Sequence, residues 1–391
     1  MKLDYMTISE RQKKICFVSL GAYPILSGKN IKTILGPDVH QVLLAKELVK
    51  SKFNVAIITI EQEGPSIEYF DGIKIIKIRN KGNIYGKIGI LIKIFEIFAA
   101  MRKENSDIYY QGGSILGIVI PFCKILQKKS IYRIASDALI DQNLISRKIP
   151  EFTKSKFSLM FLANWIEIKL ADQIVVQNEF QKIAVRKNFT RNAIKIIGPF
   201  PKVNIPPKNQ ANEKNNILWV GTITPVKQPE LFIELAESMP WGKFILIGGC
   251  PRQDKYYETV KKKSQKISNL HFIGVIPFDQ INEYYQNAAV LVNTSIVEGF
   301  PNSFFQAWLN EVPVVSLNCD PDDMIKKNHI GFHSQSFDKM INDVTTLLEN
   351  EEVKGKIKNN LNKLINSELN NEIIVERYKN LFFNLLSNKG K

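Results

Sequence analysis

A chain of 391 residues is long for a single core and suggests two domains, and 45% hydrophobic with 23% charged residues excludes wholesale disorder. The net charge of +15 lies in residues 1–205, where 32 Lys and Arg face 17 Asp and Glu, while residues 206–391 balance at 21 against 21. A basic first half joined to a neutral second half points to an anionic partner such as a membrane surface, a charged glycan or nucleic acid, with a lysine-coated solvated face as the structural alternative.

The N-terminus reads M-K-L-D-Y-M-T-I-S-E-R-Q-K-K and lacks the apolar run of a signal peptide. No segment reaches the ~18 uninterrupted apolar residues of a membrane span, so a cytoplasmic protein is expected. Short apolar runs alternate with helical stretches along the chain, which predicts two doubly wound α/β domains whose parallel sheets carry helices on both faces. In the first half, strands are expected near 15–20, 55–60, 73–78, 108–110, 131–135, 174–176 and 194–197. The first long helix should open around Pro37 and Asp38, because Pro suits an early helical position and Asp the positive end of the dipole. Residues 81–103 mix Lys87, Lys93, Arg102 and Lys103 with Ile88, Leu91 and Phe95. That is a partly amphipathic helix, suited either to an anionic bilayer or to packing within the domain. Between Gly198 and Asn216 the chain is dense in Pro and Asn and reads as a linker. Further strands are expected near 217–220, 244–247, 271–273, 290–293 and 314–317, with Phe232, Leu235, Ala236 and Met239 forming one buried helical stripe. The domains are therefore 1–200 and 217–370, joined by a linker at 201–216 and followed by a final helix over 371–391. Cys16, Cys123, Cys250 and Cys319 have neither metal nor disulfide spacing and read as reduced, buried thiols.

The most informative stretch runs from Ser295 to Leu317, S-I-V-E-G-F-P-N-S-F-F-Q-A-W-L-N-E-V-P-V-V-S-L. Asn302 and Ser303 read as caps of a helix whose first amides face the Glu298-Gly299 loop and form an anion site. Gly299 allows close approach to the backbone, and Glu298 can accept hydrogen bonds from hydroxyls. Sugar plus phosphate is the simplest ligand for that pairing. Upstream, W-V-G-T-I-T-P-V-K is a strand and a glycine turn, with Gly221, Thr222 and Lys227 at the entrance to the next helix. Gly248-Gly249 and Gly274-Val275-Ile276-Pro277 also follow strands and are weak signals alone. Ser136 and Asp137 stand at a strand's carboxyl end, where Asp137 can cap the next helix. Asp322-Asp323 reads as solvated loop charge.

These residues resemble the retaining glycosyltransferases of family four, which have the GT-B fold, two Rossmann-like domains facing each other across a cleft. In that family a Glu, a Gly-Phe-Pro-Asn loop and a second Glu eight residues after the first hold the nucleotide sugar. Glu298, Gly299, Phe300, Pro301 and Asn302 match, followed by Ser303, and Gln306 stands at the second acidic, ribose-binding position. The family's diphosphate loop has an Arg after Gly and a Lys five residues later. Lys227 matches that Lys, and Thr222 replaces the Arg beside Gly221. The resemblance places the nucleobase near Gly274 and Val275, and likens Gly36 to the Gly-rich loop over the diphosphate, with Pro37 replacing its second Gly. Asp137 stands where relatives carry a His near the reacting face, and His40 is expected to be structural or acceptor-facing. The implied catalytic set is Lys227, Glu298 and Asp137. The implied donor is a UDP or GDP sugar as co-substrate, with no cofactor or metal, and the acceptor a glycan or lipid-linked sugar. The terminal helix is expected to cross back to the first domain. Thr222 and Gln306 motivate an alternative, a sugar-nucleotide-binding subunit with little or no catalysis. A nucleic-acid binder is disfavoured for want of basic-aromatic interleaving, and a dinucleotide oxidoreductase because G-A-Y-P follows the first strand instead of G-x-G-x-x-G.

Overall fold

The computed structural model describes residues 13–29, 34–61, 63–78, 87–141, 144, 154–201, 215–250 and 255–387. Ile- and Val-rich runs, apolar on both faces, form the central strands of two separate sheets, as parallel strands covered by helices require. The first comprises β1 (Lys14–Val18), β2 (Asn54–Ile60), β3 (Ile67–Phe70), β4 (Ile73–Ile78), β5 (Ile108–Gly112), β6 (Lys129–Arg133), β7 (Gln173–Val176) and β8 (Ile194–Lys195). Their order is β3-β4-β2-β1-β5-β6-β7-β8, and only the β3–β4 pair is antiparallel. The second comprises β9 (Asn216–Val220), β10 (Lys243–Ile247), β11 (Leu270–Gly274), β12 (Ala288–Asn293), β13 (Val314–Ser316) and β14 (Gly331–His333), ordered β11-β10-β9-β12-β13-β14 and parallel throughout.

The winding reverses between β1 and β5 in one sheet and between β9 and β12 in the other, the topological switch points where such sheets bind ligands. Every expected strand is present, with ends displaced by no more than two residues. β3, β14 and a short helix, Ala22–Ser27, were not expected. Phe232, Leu235, Ala236 and Met239 are all buried, which confirms the stripe of the Pro229–Ser238 helix. The four cysteines are free and buried, and burial raises the Cys16 thiol well above its ordinary value.

The long helix Gly36–Lys50 begins with Pro37 in its first turn. Asp38 ties it to the end of β1: its Oδ1 accepts from Ser19 Oγ at 2.6 Å and from the Gly21 amide at 3.4 Å. A Cβ at Gly21 would lie 2.4 Å from the same carboxylate, so the close approach requires glycine. His40 on this helix is buried, 2.6 Å from the Gly198 carbonyl and 3.2 Å from the Tyr378 hydroxyl. Burial and the nearby Arg133 charge hold its ring well below the usual imidazole range, so its place is structural.

Tyr378 belongs to the terminal helix Asn371–Ser387, which packs on the Gly36–Lys50 helix. Tyr110 lies 3.3 Å from the Tyr378 hydroxyl, Phe53 meets Phe382 edge-on, and Asn371 brackets the Phe200 backbone with two 2.8 Å hydrogen bonds. Residues 202–214 of the expected linker lie outside the described residues.

Candidate active site

A cavity of 450 Å³ lies between the carboxyl ends of the two sheets. On the C-terminal side it is lined by Gly221, Thr222 and Lys227 after β9, by Gly248 and Gly249 after β10, and by Val275 and Ile276 after β11. Glu298, Phe300, Pro301, Asn302, Ser303 and Gln306 complete that wall after β12. The facing wall comprises Gly36 and Pro37 at a helix start, Arg133 at the end of β6 with Ala135 and Ser136 after it, and Gln177 after β7.

Backbone hydrogen bonds stack the first two turns of the C-terminal wall: Gly221 donates to Ile247 O at 3.1 Å and Ile223 to Gly249 O at 2.8 Å. Lys227 is fixed through its main chain, its N–H on Thr224 O at 2.9 Å and its carbonyl accepting from Thr294 Oγ1 at 2.7 Å. Its Nζ forms an ion pair with Glu298 Oε1, and the two side chains are 26% and 12% exposed. Lys227 and Glu298 thus neutralise one another within the cleft.

The helix after the Glu298 loop spans Asn302–Leu309. Its N-cap is Pro301 in extended conformation, with no side-chain cap, so Asn302 and Ser303 are not the expected caps. Without a local acceptor role, the Asn302 side chain donates across the cleft to the Gly36 carbonyl at 2.9 Å. The loop is anchored by Phe300, which stacks on Phe305 at 4.5 Å and meets Trp308 edge-on. Gln306 is buried and its Oε1 accepts from the Tyr285 hydroxyl at 3.1 Å, leaving its amide group to face the cavity it lines.

Three expected site residues stand elsewhere. Gly274 and Gly299 do not line the cavity. A Cβ at Gly299 would fall 2.7 Å from Gln177 Nε2 and 3.0 Å from Ala135 O, so this glycine admits the other sheet and not a ligand. Asp137 opens a 3-10 turn that Ser136 caps, and it lines an adjoining 260 Å³ cavity with Asn178, Asp320, Asp322 and the far side of Glu298. Burial pushes the Asp137 carboxyl up to about 7, against hydrogen bonds from Asn178 at 3.0 Å and Gln181 at 2.9 Å, so near neutrality it is shared between its two protonation states.

Asp322 also departs from the expected solvated loop charge. It accepts from the Glu179 amide at 2.8 Å, at the start of the helix after β7, and pairs with Lys195 of β8 at 3.1 Å. With Asn178 donating to Gly299 O at 2.9 Å and Asn302 reaching Gly36, these contacts close the cleft on both sides of Glu298.

Sequence reasoning missed Arg133, Gln177 and Asn178. A usable signal for Arg133 existed: a lone Arg ending an otherwise apolar run destined to be a buried parallel strand. The Gln177-Asn178 pair had none.

Residues 202–364 match the family model for glycosyl transferases group 1. A poly(ribitol-phosphate) alpha-N-acetylglucosaminyltransferase of Staphylococcus aureus (strain COL) is 25% identical over 239 residues, covering 59% of this chain and 47% of that protein. The chain spans about half the length of the curated relatives it matches. Among solved structures, sucrose-phosphate synthase of Thermosynechococcus elongatus superposes with a TM-score of 0.78 at 15% identity, covering 96% of this chain and 99% of the other. The pneumococcal O-GlcNAc transferase GtfA, solved with UDP and GlcNAc, superposes with a TM-score of 0.66 at 10% identity, covering 96% and 99%. At such identities the likeness establishes the fold alone. The segment from 202 to 364 thus resembles the glycosyl transferases group 1, and the two-sheet architecture is the GT-B fold.

Proposed function

We propose that the protein transfers a sugar from a nucleoside diphosphate donor to a glycan or lipid-linked acceptor, with retention of anomeric configuration and without a metal, in the synthesis of a cell-surface polysaccharide or glycolipid. The observation that carries this reading is the convergence of Lys227, Glu298 and the first turn of the Asn302–Leu309 helix on one wall of the cleft. Breaking the bond between the anomeric carbon and the phosphate oxygen builds charge on the diphosphate. A fixed ammonium group and helix-start amides stabilise that charge as it develops. On donor binding Lys227 exchanges Glu298 for the diphosphate, which frees the carboxylate to accept hydrogen bonds from sugar hydroxyls. Retention corresponds to attack by the acceptor hydroxyl on the face the diphosphate leaves, its proton passing to the departing phosphate oxygen. Gln306 then meets the ribose, and Val275 and Ile276 the base. Asp137, in the adjoining cavity, is placed on the acceptor's approach to Glu298.

Thermal shift with UDP, GDP and their sugars tests the donor class. A ligand at a hundred times its dissociation constant stabilises the fold by ~2.7 kcal/mol, so one diphosphate should raise the melting temperature and the others should not. If no nucleoside diphosphate does so at millimolar concentration, the reading is lost. Transfer to sugar acceptors by the responsive donor then separates an enzyme from a sugar-nucleotide-binding subunit.

The reading extends to a cytoplasmic protein that is peripheral on an anionic membrane. In the Lys87–Glu104 helix, Ile88, Leu91 and Phe95 recur on one face and are 65%, 64% and 70% exposed, while Ile97 and Met101 are buried. Lys93, Arg102 and Lys103 add positive charge to the same helix. Among the described residues, no helix is long and apolar enough to cross a membrane. In low salt the protein should sediment with phosphatidylglycerol vesicles and not with phosphatidylcholine, and Leu91→Ser with Phe95→Ser should weaken that binding at least several-fold. Equal binding to both lipids would dismiss the membrane surface as a partner.

A further inference from the structure

We propose that Arg133, on the N-terminal sheet, is a second binding residue for the donor's diphosphate, facing Lys227 across the cleft. This rests on the nucleotide-sugar reading and adds to it a ligand contact from the opposite wall.

Arg133 ends β6, is only 4% exposed, and lines the 450 Å³ cavity. A guanidinium group so buried is costly unless it meets a counter-charge. Its Nη2 donates to Gln177 Oε1 at 2.7 Å, and Gln177 is itself held by donation to Ile134 O at 2.8 Å. Its Nε is buried and has no hydrogen-bond partner. Among the described residues, no carboxylate lies within ion-pair distance of it. The side chains on which its charge acts include His40, Tyr110 and Tyr378, the last of which also shares a hydrogen bond with it, and none of them is a carboxylate.

The charges lining the cavity point the same way. Lys227 and Glu298 neutralise one another, so Arg133 is the uncompensated charge among the residues that line it. A diphosphate ester brings about two negative charges near neutrality, more than Lys227 alone can balance. The planar fork of Arg suits phosphate oxygens, and the protein leaves one of its donors, Nε, without a partner. A diphosphate held between Arg133 and Lys227 would also tie the two sheets together, so that donor binding favours the closed cleft.

Calorimetric titration of UDP and GDP into the full chain, without acceptor, tests the assignment. For the nucleotide that binds wild type, Arg133→Gln should weaken affinity at least tenfold while the parent nucleoside is unaffected. Thr222→Arg, which returns a cation to the same cavity from the other wall, should recover most of the loss in the double variant R133Q/T222R. Should Arg133→Gln fail to fold, Arg133→Lys carries the test: it keeps the charge, loses the fork, and should weaken the diphosphate several-fold with the nucleoside unchanged. Equal diphosphate affinity in wild type and the Arg133 variants, or a loss confined to the KM of an acceptor bearing its own phosphate, overturns the assignment and leaves the donor reading intact. Failure of wild type to bind any nucleoside diphosphate overturns both.

Discussion

Replacing Lys227 with Ala should lower turnover on the order of a hundredfold while the protein still folds. The main chain of Lys227 is held independently of its side chain, through Thr224, Thr294 and the bond from the Ile296 amide to Val226 O at 2.8 Å. Truncation therefore removes the ammonium group and leaves the loop in place. Glu298 loses its partner, but at 12% exposure it retains some contact with water, and the expected cost is about 1 kcal/mol, a fall of about 2–4 °C in melting temperature. The kinetic loss is larger because positive charge near the diphosphate matters most as the sugar–phosphate bond breaks, and a hundredfold corresponds to ~2.7 kcal/mol of the barrier. Steady-state kinetics with the donor identified by thermal shift, beside a melting curve, make the comparison. An unchanged kcat in a folded variant would remove Lys227 from the reaction.

How much of this was legible in the sequence depended on whether the signal was local. Parallel strands buried on both faces are short Ile- and Val-rich runs, and all of those expected are present. β3, with Glu68 in I-E-Y-F and alternating exposure at the sheet edge, and β14, three half-buried residues, offer no such run. The Ala22–Ser27 helix carries Pro24 in its middle and is too short to show a period. The C-terminal wall could be read because each part is one contiguous strand-turn-helix segment, from Gly221 to Lys227 and from Glu298 to Gln306. Arg133 and Gln177 meet only because β6 and β7 are neighbours, and nothing in their spacing announces it. Asn302 misled because Asn favours caps, yet Pro301 already holds the extended conformation a cap requires.

Gly299 is the instructive case, and its substitution should separate closure of the cleft from the chemistry within it. The Gly-Phe-Pro-Asn loop invited a reading in which this glycine makes room for ligand, whereas the space is taken by the N-terminal sheet. A Cβ would meet Gln177 Nε2 at 2.7 Å, Gln181 Nε2 at 2.9 Å and Ala135 O at 3.0 Å. None of the three yields freely. Ala135 O is backbone, Gln177 Nε2 donates to Ile134 O, and Gln181 Nε2 donates to Asp137. Gly299→Val should therefore hold the two sheets apart, break the Asn178 bond to Gly299 O, and misplace the acceptor side relative to Lys227 and Glu298. A displacement of about 1 Å costs on the order of a hundredfold in rate, and that is the expected loss of turnover. Folding should be spared, because the clash lies between the sheets and not within either core. Diphosphate affinity should fall no further than in Arg133→Gln, since opening the cleft removes the N-terminal contact and leaves Lys227, Thr222 and the Asn302 helix untouched. Small-angle scattering should show a larger radius of gyration than wild type under the same conditions. A folded Gly299→Val protein with wild-type turnover and unchanged dimensions would mean that the contacts around Gly299 are incidental and that catalysis does not require this closed arrangement.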